Sequence, residues 1–250
     1  MTHNIPIQHI EKLTKGPSQA KVASVANLQN YIQELLGDTH HTFLQGSYKN
    51  DTAISDINDV DIVAVRSTTY SGTFSTQPCD RTILWDQIFS EIEYKLGSQS
   101  RYNWTVTRDD KCIKVRGAFN ADVVPAVQVN TDPRTDPIVI YSFKAGQEKI
   151  NYPRVHYDNG VAKHGATDEA YKPVVRMFKN WTKNHFGDTK VVSSHQIESL
   201  VHAAENTCFS SDFAISFILV AADIDEKLKQ RDVLAFKIPS VCGYEDISAN

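Results

Sequence analysis

Two carboxylates separated by a single residue, Asp59 and Asp61, follow a Gly46–Ser47 pair along the chain. Side chains of a strand alternate between its two faces, so on a strand both carboxylates emerge on the same side. Like charges at that spacing repel each other unless a cation lies between them. Mg²⁺ often takes one or two carboxylates together with substrate phosphates. The spacing therefore predicts a divalent-cation site.

The Gly46–Ser47 pair ends a predicted strand, twelve residues before Asp59. A glycine there lets the backbone approach a ligand closely, and a hydroxyl with successive backbone N–H groups can hold phosphate oxygens. A third carboxylate, Asp122, lies between apolar neighbours on another predicted strand. Three carboxylates beside a phosphate-holding turn suit two metal ions, one activating a hydroxyl and one stabilising a leaving pyrophosphate.

The elements that must position these side chains follow from apolar periodicity. Helical spacing predicts helices over residues 22–36, 83–96, 171–186, 194–204 and 213–228. Alternating or short apolar runs predict strands over residues 41–45, 60–65, 102–107, 112–115, 119–129 and 138–143. Pro125 limits regular pairing within its strand. Residues 145–168, which contain Pro153, Gly160 and Gly165, are predicted to form a loop that crosses between two lobes.

Composition bounds the class of protein. The 250 residues include 41% apolar and 22% charged residues, which is typical of a globular chain and excludes a disordered one. The net charge of -4 means that the chain as a whole lacks the basic character that would attract duplex nucleic acid. The longest apolar run, residues 213–222, is shorter than the roughly 20 residues of a membrane span. With no secretory signal and four scattered cysteines, we expect a cytoplasmic protein without membrane contact.

The motifs resemble the DNA-polymerase-β-like nucleotidyltransferase superfamily, whose signature is Gly-[Gly/Ser], a spacer and Asp-x-[Asp/Glu]. Within it, the chain is most similar to the bacterial cGAS/DncV-like nucleotidyltransferases and the related oligoadenylate synthetases. Four stretches carry this resemblance in order along the chain: Gln45–Tyr48 with Thr52, Asp122–Ala126, Val175–Trp181 and Ser194–Glu198. The resemblance implies an α+β fold, with a mixed-sheet catalytic core over residues 1–150 and a helical C-terminal lobe over residues 151–250. It implies an active site in the cleft between them.

The resemblance also implies roles for particular residues. Asp59 and Asp61 would bind both Mg²⁺ ions, with Mn²⁺ as an alternative, and Asp122 would complete the metal that activates the acceptor hydroxyl. Nucleotide or phosphate contacts are implied for six residues: Gln45, Gly46, Ser47, Lys179, Ser194 and His195. Histidine at position 195 departs from the tyrosine or phenylalanine that commonly stacks on a base there.

Structural interpretations stand beside these roles. Lys179 could instead lie on a solvated helix face, and Arg176 is expected to be a structural ion-pair partner rather than a phosphate ligand. The histidines outside the motifs are expected on the surface or in loops: His40, His41, His156 and His164.

The function that the resemblance implies is Mg²⁺-dependent joining of nucleoside triphosphates into a cyclic di- or trinucleotide, or a short oligonucleotide, with release of pyrophosphate. ATP and GTP are the expected substrates, pyrimidine nucleotides are left open, and the product would activate a downstream effector in bacterial anti-phage defence. No duplex DNA is expected to be required, since the chain lacks a basic excess and a compact Cys/His cluster. The alternatives are transfer of one nucleotide onto a protein, an RNA end or a small molecule, and an inert nucleotide-binding scaffold.

Overall fold

A computed structural model describes residues 7–55, 59–70, 81–98, 100–128, 136–187, 189, 191–229 and 239–244. These residues form two compact units. The sheet unit contains the described residues of 18–48 and 58–154. The helical unit contains those of 1–17, 49–57 and 155–250. The predicted division at residue 150 stays a prediction.

The sheet unit contains a seven-stranded sheet and its helices. Its strands are β1 (His40–Gln45), β2 (Asp59–Tyr70), β3 (Thr105–Arg108), β4 (Ile113–Arg116), β5 (Asn120–Gln128), β6 (Ile138–Ser142) and β7 (Gln147–Asn151). Its long helices are α2 (Gln19–Leu36) and α4 (Arg81–Ser98), and a single helical turn, α3 (Gly46–Lys49), follows β1. Ser18 caps α2 by accepting a hydrogen bond from the Lys21 backbone N–H, and Gly37 ends the helix with a positive φ.

The sheet is mixed, because β2 and β5 run parallel while every other pair is antiparallel. The central strands follow the order β1-β2-β5-β4-β3, and β6 joins β5 with β7 outside it. The predicted α+β class with a mixed sheet is confirmed.

The two faces of the sheet differ because apolar residues alternate along its central strands. Val60, Ile62 and Ala64 of β2 pack with α2 and α4 in the main core. Val63 and Val65 point to the other face and form a smaller apolar cluster with neighbours from β5 and β6. A fully buried side chain of this size contributes roughly 1.5–3 kcal/mol, so the register of β2 is strongly determined.

Pro125 lies where β5 changes partners. Residues 121–123 of β5 pair with β4, residues 127–128 pair with β6, and Pro125 falls between the two ladders. On its other side Pro125 stands opposite Ala64 of the parallel neighbour. The missing N–H therefore removes no hydrogen bond from either antiparallel ladder.

The helical unit contains five α-helices among its described residues: α1 (Ile7–Thr14), α5 (Pro153–Ala166), α6 (Tyr171–Phe186), α7 (Ser194–Ala203) and α8 (Phe213–Lys229). The first two residues of α5 precede the unit boundary. Side chains of α6, α7 and α8 form the core of this unit, with Val174, Val175, Val201 and Val220 fully buried. Helices α6, α7 and α8 are close to their predicted bounds.

The predicted crossing loop is wrong, since residues 147–151 form β7 and residues 153–166 form α5. Pro153 occupies the first position of α5, where a missing N–H costs no helical hydrogen bond. Gly160 packs near Tyr171, and a methyl group at its α-carbon would make only ordinary contact with that ring. Neither Pro153 nor Gly160 interrupts α5, because each lies at a helical position that is compatible with its residue type.

Two further expectations concern cysteines and membrane contact. Cys112, Cys208 and Cys242 are free thiols, and Cys79 lies outside the described residues. In the part of the chain that the structure describes, no helix combines the length and the apolar character that crossing a bilayer requires.

Candidate active site

A row of polar side chains crosses four strands of the sheet. Gln45 of β1 stands opposite Asp61 of β2, Asp61 stands opposite Asp122 of β5, and Asp122 stands opposite Lys114 of β4. Directly paired residues of neighbouring strands share a face. Asp59 lies on the same face two residues before Asp61. The three predicted metal ligands therefore lie on one face, at the end of β2 where the apolar cluster stops.

Gly46 lies against this row. Its φ is +66°, a conformation that favours glycine, and a Cβ built on it would overlap Asp61 Oδ2. The glycine is thus required for both the backbone turn and the close approach to a predicted metal ligand. Ser47 follows it in α3 and is 8% exposed, so its side chain is largely buried.

Asp122 is held by an arginine on the next strand. Arg116 Nη2 donates to Asp122 Oδ1 at 2.9 Å, while Arg116 Nη1 donates to the carbonyl oxygens of Val115 and Ala121 at 3.0 Å each. Two backbone contacts fix the guanidinium, so it orients one oxygen of the carboxylate and leaves the Asp122 Oδ2 atom outside that ion pair.

The donor chemistry of this face fits a hard divalent cation, because three carboxylates, two of them from one strand, share it. Among the described residues, however, no three His, Cys, Asp or Glu side chains converge closely enough to chelate an ion as they stand. The contact between Asp122 and Arg116 draws one carboxylate oxygen to the side of β4. A bound cation would therefore require Asp122 to use its second oxygen or to rotate.

Lys179 belongs to the helical unit and is buried, with 5% of its surface exposed. Its ammonium donates to Glu198 Oε1 at 2.6 Å, to the carbonyl oxygen of Thr52 at 3.1 Å and to Thr52 Oγ1 at 3.1 Å. The interpretation of Lys179 as a solvated surface lysine is wrong. Its implied contact with phosphate stays a prediction.

Glu198 of α7 is the centre of this buried cluster. Its Oε1 atom also accepts a hydrogen bond from Thr52 Oγ1 at 2.5 Å. Its Oε2 atom accepts from Asn50 Nδ2 at 3.1 Å and lies 3.0 Å from His156 Nε2. Burial raises the pKa of the Glu198 carboxyl, but Lys179 and His156 outweigh burial and hold that pKa well below its ordinary value. Glu198 is therefore a buried carboxylate anion.

Ser194 and His195 begin α7 and are exposed. The residue that caps the helix is Ser193, whose side chain accepts from the Gln196 backbone N–H while the Gln196 side chain accepts from the Ser193 backbone N–H. The His195 ring lies 5.4 Å from the His156 ring, with an angle of 33° between their planes. Their implied contacts with nucleotide stay predictions.

Arg176 has the structural role that the sequence predicted. It donates to the carbonyl oxygens of Thr14 at 2.5 Å and Asp51 at 2.6 Å, and it lies 3.5 Å from the Asp51 carboxylate. These contacts attach α1 and the segment after α3 to α6.

Sequence reasoning missed Arg116, the partners of Glu198, and the burial of His40. Arg116 follows the alternation of β4, which puts it on the face of Asp122, but this inference needs the strand register. The expectation that His40 and His156 lie on the surface is wrong, since His40 is 2% exposed and His156 contacts the buried Glu198. The sequence carries no signal for either position.

Comparison with known proteins adds an independent observation. Residues 158–243 match the family model for the cGAS/DncV-like nucleotidyltransferase C-terminal helical domain. The chain is similar to the cyclic nucleotide synthase CdnE01 of Staphylococcus haemolyticus, with 31% identity over 202 residues that cover 69% of this chain and 66% of the relative. It is also similar to the cyclic UMP-AMP synthase of Rhodothermus marinus, with 29% identity over 223 residues, 82% of this chain and 75% of the relative.

The fold has a counterpart among solved structures. The structure of the Rhodothermus marinus CdnE c-UMP-AMP synthase with Apcpp and Upnpp superimposes with a TM-score of 0.78 and 25% identity, covering 97% of this chain and 88% of that one. The similarity thus extends over both units rather than over the helical part alone.

Proposed function

The chain belongs to the cGAS/DncV-like nucleotidyltransferases, and on that premise we propose that it joins nucleoside triphosphates into a cyclic di- or trinucleotide, or a short oligonucleotide, with release of pyrophosphate. The observation that carries the proposal is the alignment of Asp61 with Asp122 on one sheet face, with Asp59 beside them and Gly46 against Asp61. A scaffold that only bound nucleotide would not need this arrangement of three carboxylates.

The proposed metal ligands are Asp59, Asp61 and Asp122, with Mg²⁺ as the ion and Mn²⁺ as an alternative. When bound, the ions would lower the pKa of the acceptor hydroxyl and neutralise negative charge on the triphosphate. The carboxylates fix where that charge is neutralised, because β2 and β5 are central strands in which Asp61 and Asp122 each lie between two buried apolar residues. Arg116 would position Asp122 by binding one of its two carboxylate oxygens.

The proposed nucleotide contacts involve the turn after β1 and the helical unit. Gly46 brings the turn into close contact with Asp61, and Gln45 lies in the same row as the carboxylates. Ser47 and the backbone N–H groups of α3 would bind the triphosphate oxygens. Ser194 would add a hydroxyl, and His195, which is exposed, would stack on a base. The role proposed for Lys179 requires exchange of one of its present acceptors for a phosphate oxygen.

The substrates proposed are ATP and GTP, with pyrimidine nucleotides included because one relative is a cyclic UMP-AMP synthase. The product would act on a downstream effector, and the anti-phage setting in the bacterial cytoplasm is part of the same proposal.

The test is incubation of the purified chain with labelled ATP, GTP, CTP and UTP and either Mg²⁺ or Mn²⁺. We expect a phosphatase-resistant product whose mass is lower, by one water molecule, than that of the linear oligonucleotide of the same composition. The double variant Asp59→Asn with Asp61→Asn, shown to be folded by circular dichroism, should form none. Product formation by that folded variant, or label found only on an added protein or RNA, would contradict the proposal.

A further inference from the structure

We propose that Glu198 is a positioning residue for this reaction: its buried carboxylate fixes the segment Asn50–Thr52, which directly follows the Gly46–Lys49 turn. The inference rests on the proposed function, because the segment it fixes continues the turn proposed to bind triphosphate. Glu198 itself would contact neither nucleotide nor metal. It would act through the chain that it holds.

The carboxylate uses both of its oxygens for this purpose. Thr52 Oγ1 and Lys179 Nζ bind Oε1, and Asn50 Nδ2 binds Oε2 at a distance of 3.1 Å. Two of these partners are side chains of the segment itself. Glu198 is 3% exposed and Thr52 is 1% exposed, so water does not compete for these hydrogen bonds.

Lys179 holds the backbone of the same segment. An ammonium group has three N–H donors, and Lys179 directs them at Glu198 Oε1, Thr52 Oγ1 and the Thr52 carbonyl oxygen. With all three donors engaged, the lysine fixes Thr52 by main chain and side chain together. The ion pair with Glu198, 2.6 Å long, keeps the ammonium in this position.

The backbone conformation of Asp51, which lies between Asn50 and Thr52, shows what the contacts with Glu198 maintain. Asp51 has a φ of +53°, which is unfavourable for a residue with a side chain. Such a conformation persists only where the surroundings determine it. Asn50 and Thr52 are held on either side by Glu198, and Arg176 binds the Asp51 carbonyl oxygen at 2.6 Å. Three consecutive residues are therefore fixed at a point where the free chain would adopt another conformation.

The link from this segment to Ser47 is short. Ser47 precedes Asn50 by three residues, and the residues between them belong to the single turn of α3. A shift at Asn50 is therefore transmitted along the chain to the Gly46–Ser47 backbone. The triphosphate contacts proposed for Ser47 and α3 would then be misplaced, which weakens nucleotide binding and raises the KM.

The first experiment removes one hydroxyl from the segment. Thr52→Val keeps the branched shape but loses the contact with Glu198, whereas Thr52→Ser keeps the hydroxyl. We expect Thr52→Val to raise the KM for nucleoside triphosphate between about 10- and 100-fold with a smaller change in kcat, and Thr52→Ser to retain the wild-type KM. Hydrogen exchange of a peptide covering residues 46–55 should be faster in Thr52→Val only.

The second experiment removes the charge. Glu198→Gln leaves Lys179 buried without its counter-ion, so the double variant Glu198→Gln with Lys179→Met is measured as well. Glu205→Gln is the control, because Glu205 forms an exposed ion pair with Lys227. We expect a raised KM for nucleoside triphosphate in the single and double variants of Glu198, and the wild-type KM in the control. A lower melting temperature with unchanged KM in Thr52→Val and Glu198→Gln would overturn the inference. Failure of the wild-type chain to form any product would instead contradict the proposed function.

Discussion

The α-carbon of Gly46 lies so close to the carboxylate of Asp61 that a methyl group on it would overlap Asp61 Oδ2. The turn that follows β1 and the central aspartate of β2 are therefore in close contact, so that a side chain at position 46 would displace Asp61. This contact ties the proposed phosphate-binding turn to the proposed metal ligands.

Gly46→Ala is expected to reduce metal-dependent product formation by about 100-fold, because the new methyl group displaces Asp61. Gly146→Ala is the matched control, since Gly146 has a φ of +61° and no other atoms within 4 Å of a Cβ built there. Both variants carry the strain of a positive φ, about 1–2 kcal/mol, so both should unfold at lower temperature. Equal activity loss in the two variants would show that strain, and not the contact with Asp61, is responsible.

Replacing either aspartate of β2 should abolish catalysis without unfolding the chain. Asp61→Asn and Asp59→Asn each remove an anionic oxygen ligand from a face on which the carboxylates repel one another, so thermal stability should be unchanged or higher. Pyrophosphate release should fall by several orders of magnitude. Asp38→Asn, which changes an exposed carboxylate before β1, serves as the control. Wild-type turnover in folded Asp61→Asn would exclude that residue as a metal ligand.

Arg116→Gln tests whether the arginine orients the third carboxylate. Because Arg116 is anchored by two backbone carbonyl oxygens and binds a single oxygen of Asp122, its loss should weaken Mn²⁺ binding by about 10- to 100-fold. Electron paramagnetic resonance of free Mn²⁺ measures this affinity directly. Arg108→Gln, which removes ion pairs to Asp86 and Glu93 at the other side of the sheet, is the control. Tighter Mn²⁺ binding in Arg116→Gln would mean that Arg116 competes with the metal.

Acid should destabilise the chain through its buried histidines. Burial lowers the pKa of His40 from 6.5 to about 4, and burial likewise lowers the pKa of His202 to about 4. The unfolded chain therefore binds protons at a higher pH than the folded chain does. The contribution of each neutral histidine to stability is complete above pH 6.5 and is lost as the pH falls toward 4.

The measurement is the free energy of unfolding between pH 7 and 4. His40→Gln should lower stability at pH 7 and reduce the slope by up to about 1.4 kcal/mol per pH unit. His41→Gln, at an exposed position on the same strand, should leave the slope unchanged. An identical slope in wild type and His40→Gln would contradict the assignment.

The shared face of Asp59 and Asp61 could be predicted from sequence because they are two residues apart on one strand, and Asp61 and Asp122 each lie between buried apolar residues. Arg116 could not be assigned to Asp122, because that pairing depends on the register between β4 and β5. In the Glu198 cluster, Thr52 and Asn50 bind a residue that is 146 and 148 positions away in the sequence, respectively. Local periodicity cannot predict contacts over such a separation. Pro153 and Gly160 misled the sequence analysis because both residues are compatible with a helix at the positions they occupy.

The helical unit is discontinuous, since residues 49–55 belong to it although most of it comes after residue 154. During synthesis, Thr52 emerges 146 residues before Glu198, to which it binds. The hydrogen bonds of Asn50 and Thr52 with Glu198 can form only after α7 has been synthesised. A separately expressed fragment from residue 155 onward would contain the Lys179–Glu198 pair but lack the two earlier partners of Glu198. The C-terminal helices alone would therefore leave a buried carboxylate with fewer hydrogen-bond donors than it has in the intact unit, and the early segment supplied in trans should restore them.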